Sequence, residues 1–509
     1  MTFVQHLWDL LLFLVVVVGA IPVCLWIVAI TTHQSTFRLA HAGLVILTVW
    51  CSLQTAIALV LGGLHQLNLS AVILCEILLF SLGCFLLRTT QNKFPRFSLS
   101  KTIQSFTLQE RIILGAFVVV FLNLIVYAIL TPITSYDSLA YHLPAMAKWY
   151  QVGHFAVLDE FKLELIGYYP YSWEALCLLF MFPFREDVLV TFPNFVAWLI
   201  LGGATYLIAQ QFSAQRIYSL AAALFVLTLP LLTQLVNSIH VDIQFAAFFL
   251  SAFYFLLVWW NSRFVSDFVL AIISTGMMLG IKTSAIPYGV LLVLSIALFP
   301  ILLPRPAAAW FVHLNRFSKG FAWLGSAIAL LLGSFWYLKN FLSIGNPVGL
   351  LRVQIAGIQL FPGTVDPSKV KITTLAAAFR WLNPSDWLVV IKQVILQFGV
   401  PFGLIGLQLV ICAVIMALRP QDFKKATMLP GMLIVAIVIL YVYTPYSGSN
   451  EFPPRVTNWM GQGLRYGFAG VALLGVLSAV GSTIANFRKP LITAGCVLSS
   501  VTVLVNIWV

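Results

Sequence analysis

A chain of 509 residues that is 61% hydrophobic and 9% charged, with a mean hydropathy of +0.99, is not a soluble globular domain. No polar stretch is long enough to fold alone, so a separate soluble domain is excluded as well. The net charge of +12 does not indicate nucleic acid, because its cations collect in short loops between apolar runs.

Apolar runs of about 18 residues or more recur from end to end. They are continuous rather than alternating, which excludes a β-barrel. Lipid offers no partner to open backbone groups, so such runs must be helices. The expected fold class is therefore an all-α polytopic membrane protein, a multispan helical bundle. In chain order, spans are expected over residues 8–30, 41–63, 70–88, 110–130, 188–209, 215–233, 242–260, 266–282, 285–303, 320–339, 396–418, 428–444, 464–485 and 491–508. That makes about fourteen. The first basic residue is Arg38, so the N-terminus lacks the positive region of a signal peptide and the first helix is expected to be retained. The seven cysteines lie inside or beside apolar runs, form no CxxC pair, and read as buried single thiols.

Charge sets the expected orientation. Arg88, Lys93, Arg96, Lys101 and Arg111 share one loop opposed only by Glu110. Arg305, Arg316 and Lys319 share a second, Arg419, Lys424 and Lys425 a third, and Arg488 and Lys489 a fourth. Cytoplasmic loops carry such an excess. Placing 89–109 inside puts 131–187, 340–395 and 445–463 outside, provided that 171–184, which carries Glu174, lies at the interface rather than crossing. Most acids then lie on the outer face, and an active site would face outward.

Several outer stretches carry chemistry. In "SYDSLAYH", Asp137 either caps a helix or accepts a proton from a hydroxyl. On an α-helix it shares a face with Tyr141, and His142 lies on a neighbouring stripe. "YYPYSWEAL" supplies Tyr169, Trp173 and Glu174, which suit either an interfacial aromatic belt or the apolar faces of a sugar ring. "NSIHVD" sets His240 and Asp242 at the start of another span, where Asp242 again has a capping alternative. Lys282, Lys339 and Arg465 stand at outer helix ends, where a cation either snorkels or binds the phosphate of a lipid. No P-loop, HExxH or GxSxG is present, and "GQGLRYG" is no dinucleotide motif.

The order of these stretches is similar to that in the integral-membrane glycosyltransferases of the GT-C class, in particular the bacterial PMT-like, RgtA/B/C/D-like family related to the aminoarabinose transferases. The chain resembles that family in "YDSLAYHLPAMAKW", "YYPYSWEALCLLF", "PLLTQLVNSIHVD", "GMMLGIKTSA", "LKNFLSIGNP" and the late pair Arg465–Tyr466, together covering about residues 110–470. The resemblance divides the chain into extra N-terminal helices with a basic loop (1–109), a GT-C-like core (110–470) and C-terminal helices (471–509). It implies transfer of a sugar, with inversion, from a polyprenyl-phosphate donor to a lipid, glycan or protein acceptor on the outer face of the plasma (inner) membrane. Asp137 would act as base or orient the acceptor, Asp242 would assist, and Lys282, Lys339, Arg465 and Tyr466 would hold the donor phosphate. Tyr141, His142, Tyr169, Trp173, Glu174 and His240 would line the substrate site. Two departures stand out: Ser138 occupies the place of the family's second acid, and Lys339–Asn340 that of its Arg–Asn pair. The first weakens the case for a metal there, although the chemistry would still admit a divalent cation. The rival functions are a transporter or flippase of a lipid-linked substrate and a non-catalytic membrane scaffold of the same fold.

Overall fold

The computed structural model describes residues 3–31, 38–89, 104–158, 164–303, 316–355, 357–365, 384–418, 427–443 and 463–507. Lys93, Arg96, Lys101, Arg305, Arg419, Lys424, Lys425 and, apart from Gly463, the expected outer segment 445–463 lie outside the described residues. Among the described residues the architecture is an all-α helical bundle with one short antiparallel hairpin, Val353–Ile355 paired with Ile358–Phe361.

Eleven described helices are long and apolar enough to cross a membrane, and twelve if one bent pair counts as a single span. Each expected run coincides with apolar helix, but the count of fourteen is not reached on length. Val265–Ile281 and Met428–Tyr443 have only 17 and 16 residues. The run expected at 215–233 is broken into Arg216–Leu227 and Pro230–Val236, bent by 66°. Pro230 lacks the N–H that would continue the first helix. Facing it, Gly399 has φ +59° inside Pro384–Leu418, and a Cβ there would sit 2.9 Å from the Pro230 ring.

The segment expected at the interface is different in kind. Ser172–Leu178 is a helix of seven residues, about 10 Å long and too short to cross. All seven residues are buried, whereas an interfacial helix keeps one face in water. Glu174 is held inside the protein, where its partner is His142.

Close packing fixes the helix that ends beside the site. Gly276 and Gly280 form a GxxxG face on Val265–Ile281 against Arg316–Ile344. A Cβ at Gly276 would lie 2.3 Å from the Ala329 carbonyl oxygen, and one at Gly280 would lie 2.2 Å from that of Leu332. Small residues let two backbones approach in this way in lipid.

The bundle has two chemically different ends. At one, the Thr107–Glu110 capping box opens Leu108–Leu130, and Arg216 makes two 2.8 Å bonds to the Glu110 carboxylate. The Tyr218 hydroxyl donates to the Phe487 carbonyl beside Arg488 and Lys489. At the other end, about 35 Å along the 23-residue helix, stand Thr131, Asp137, Asn237 and Asp242.

Candidate active site at one end of the bundle

Four separate segments meet at that second end, and polar contacts stitch them together. Asn237 Nδ2 donates to Thr131 Oγ1 at 3.0 Å, and the Ile239 N–H donates to Ser138 Oγ at 2.8 Å. Asn194 holds the same loop from below. Its amide donates to the Val236 and Ser238 carbonyls, while its oxygen accepts from Trp173 Nε1 at 2.8 Å and Gln244 Nε2 at 2.6 Å. Trp173 is thereby part of the frame and does not line the cavity.

Asp137 opens a π-helical turn, Ser138–His142, that runs into Leu143–Val152. The α-helical register expected for Asp137 and Tyr141 is therefore interrupted, in a way common at functional sites. Asp137 makes no side-chain cap hydrogen bond, and Asp242 is the first residue of its helix, with Val241 at the cap position. Capping accounts for neither carboxylate.

Their partners are cations instead. Arg465, in the short 3-10 turn Gly463–Gly467, spans both. Its Nη2 lies 2.8 Å from Asp137 Oδ2 and its Nε 2.9 Å from Asp242 Oδ2. Lys282, just past the end of Val265–Ile281, places Nζ 2.6 Å from Asp242 Oδ1 and 4.0 Å from the centre of the Tyr466 ring. His240 Nε2 lies 3.4 Å from Asp137 Oδ2, and its Nδ1 meets Ser238 Oγ at 2.9 Å. Burial opposes ionisation of Asp137, but the close contact with His240 and the Arg465 charge outweigh it and hold the carboxyl well below the usual range. Burial lowers the His240 imidazole below its ordinary value, and Asp137 offsets part of that shift.

These groups line one cavity of about 620 Å³, within the size range of small-molecule sites. Ten of the twelve site residues expected from sequence line it: Asp137, Tyr141, His142, Tyr169, Glu174, His240, Asp242, Lys282, Arg465 and Tyr466. Lys339 does not; its Nζ lies 5.5 Å from the Trp336 ring centre. Tyr171, Tyr288, Tyr441 and Tyr443 also line the cavity, and sequence reasoning missed them. Tyr171 lies in the "YYPYSWEAL" stretch, but the other three lie in or beside apolar runs, where tyrosine is ordinary composition at a membrane interface. Asn194 was missed too, although an amide within an apolar run is itself a functional signal. Among the described residues no group of three or more His, Cys, Asp or Glu side chains is placed to hold a metal ion.

Chemically, the site offers two cations balanced by two carboxylates, a buried His–Glu pair and a wall of tyrosines. It can take an anion that competes with the carboxylates for Arg465 and Lys282, together with a hydroxylated ring that stacks on the aromatics. No protein-family model, no curated protein and no solved structure matches the chain.

Proposed function

We propose that this protein is a membrane glycosyltransferase that moves a sugar, with inversion, from a polyprenyl-phosphate donor to an acceptor hydroxyl, as the resemblance to the GT-C class implies. The observation that carries the reading is Arg465, held between Asp137 and Asp242 with Lys282 beside it in a tyrosine-lined cavity. Negative charge grows on the phosphate oxygens as the sugar leaves, and cations held in position beforehand lower that barrier. Asp137 and Asp242 keep the cations in place before the donor arrives. The donor phosphate then joins them on Arg465 and Lys282.

The lipid part of the donor has a path. Pro287, Tyr288 and Leu440 line the cavity on Ala285–Leu302 and Met428–Tyr443. The outward residues beside them, Ile286 and Ile439, are exposed and apolar. A prenyl chain leaving the cavity here would enter lipid directly. The basic residues Arg111, Arg216, Arg488 and Lys489 mark the opposite end, which supports a cytoplasmic position for that end and an outer-face site in the plasma membrane of a cell envelope.

The test uses purified protein in nanodiscs with a panel of polyprenyl-phosphate sugars and acceptors. Transfer is followed by mass spectrometry for wild type and Arg465→Lys. Turnover of one donor that falls about 100-fold in Arg465→Lys supports the reading, since lysine cannot reproduce a two-carboxylate fork. A donor that binds and is never turned over moves the protein to the transporter or scaffold class.

A further inference from the structure

Attack by an acceptor hydroxyl releases a proton, and Asp137 is poorly set to take it. Its Oδ2 already accepts from Arg465 at 2.8 Å and lies 3.4 Å from His240 Nε2. A second arrangement in the same cavity suits the task better. His142 and Glu174 both line the cavity yet are 4% and 1% exposed. His142 Nδ1 meets Glu174 Oε1 at 2.5 Å. A carboxylate accepts, so Nδ1 carries the hydrogen, and in the neutral imidazole Nε2 then keeps its lone pair. Among the described residues no hydrogen bond engages that Nε2.

Glu174 has no competing use. Its Oε2 is buried without a hydrogen-bond partner among the described residues, so its bonding is directed at His142 through Oε1. Its helix is buried throughout and anchored next door by the Trp173–Asn194 bond. The other groups facing the His142 ring are Tyr141, Tyr171 and His240, with ring centres 4.1, 6.4 and 6.4 Å away. None of the three is a carboxyl group, and His240 is already engaged with Ser238 and Asp137.

We infer that His142, oriented by Glu174, takes the acceptor proton, while Asp137 serves to hold Arg465. The inference rests on the transferase reading above. In the step, the acceptor oxygen bonds to the anomeric carbon as its proton passes to His142 Nε2. The bond from that carbon to the phosphate oxygen breaks, and its electron pair leaves with the polyprenyl phosphate onto Lys282 and Arg465. Glu174 stabilises the imidazolium, which later returns its proton to water.

The two bases predict different pH profiles. A carboxylate held as low as Asp137 is ionised throughout the near-neutral range, so its rate would be flat there. An imidazole base gives a rate that rises with pH across that range. The experiment measures kcat against pH in nanodiscs for wild type, His142→Gln, Glu174→Gln and Glu174→Asp, with donor affinity measured separately. In His142→Gln, kcat falls about 10²–10⁴-fold, donor affinity holds and the rising limb is lost. In Glu174→Gln, kcat falls about 10-fold, because the ring has lost the carboxylate that orients it. Glu174→Asp keeps more of the rate. Free imidazole restores rate to His142→Ala, which decides the matter if His142→Gln folds poorly. A flat wild-type profile, an unchanged limb in His142→Gln, or no imidazole rescue overturns the inference and leaves the transferase standing. Absence of turnover by wild type with every donor overturns both.

Discussion

Arg465→Met removes the one side chain that, among the described residues, forms ion pairs with both carboxylates. The guanidinium lies 2.8 Å from Asp137 and 2.9 Å from Asp242, so among the described residues its loss leaves Asp242 to Lys282 and Asp137 to the 3.4 Å contact with His240. Removing one partner of a buried pair costs about 3–5 kcal/mol. Two features put this case near 3 kcal/mol on that scale. Asp242 keeps Lys282 at 2.6 Å, and the Asp137 side chain is 23% exposed, so water takes up part of its charge. In Arg465→Met with Asp137→Asn the stranded carboxylate is gone, and the double variant should be more stable than the sum of the singles by about 1–3 kcal/mol. Equilibrium unfolding in mixed micelles measures all four corners of this cycle. An Arg465→Met protein within about 0.5 kcal/mol of wild type, the range of an ordinary surface change, would refute the reasoning, as would strict additivity.

Other predictions follow from the same contacts. Asp137 has a folded pKa below its unfolded one, so its contribution is complete above about pH 4 and is lost as pH falls toward the folded value; wild type should lose stability below about pH 4 and Asp137→Asn should lose less, read by unfolding at stepped pH. Gly276→Ala puts a methyl 2.3 Å from the Ala329 carbonyl, forces two helices apart, and should cost about 1–3 kcal/mol in the same unfolding assay. Asn194→Ala strands the Trp173 indole N–H and two carbonyls; it should cost about 1–3 kcal/mol and lower turnover by loosening the loop before Asp242. Lys282→Ala should weaken donor binding about 10-fold or more, whereas Lys339→Ala should change it less than about 2-fold, measured by donor titration.

Much of the helical layout can be read from hydropathy, because a run of apolar residues in lipid has no alternative to helix. What hydropathy cannot register is a break such as Pro230 against Gly399, where the composition stays apolar while the direction turns by 66°. In the site, Asp137, Asp242, Lys282 and Arg465 stand out as rare charges at span ends, and the structure brings all four together. Their pairing is not legible: Arg465 reaches Asp137 across 328 residues, and no local pattern encodes that contact. Lys339 and Trp173 have the residue types of site members, yet neither lines the cavity; only packing separates a cavity wall from the frame behind it. The burial of Glu174 was equally hidden, since a short segment with one acid looks interfacial until a partner such as His142 is known.

Phosphorus NMR on wild-type protein in nanodiscs, with a polyprenyl-phosphate sugar and an acceptor hydroxyl, tests the central claim most directly. The account predicts that the phosphodiester signal converts to that of a phosphomonoester as an inverted glycoside accumulates in equal amount. A phosphodiester signal that broadens on binding and never converts, with every donor and acceptor tried, would contradict it.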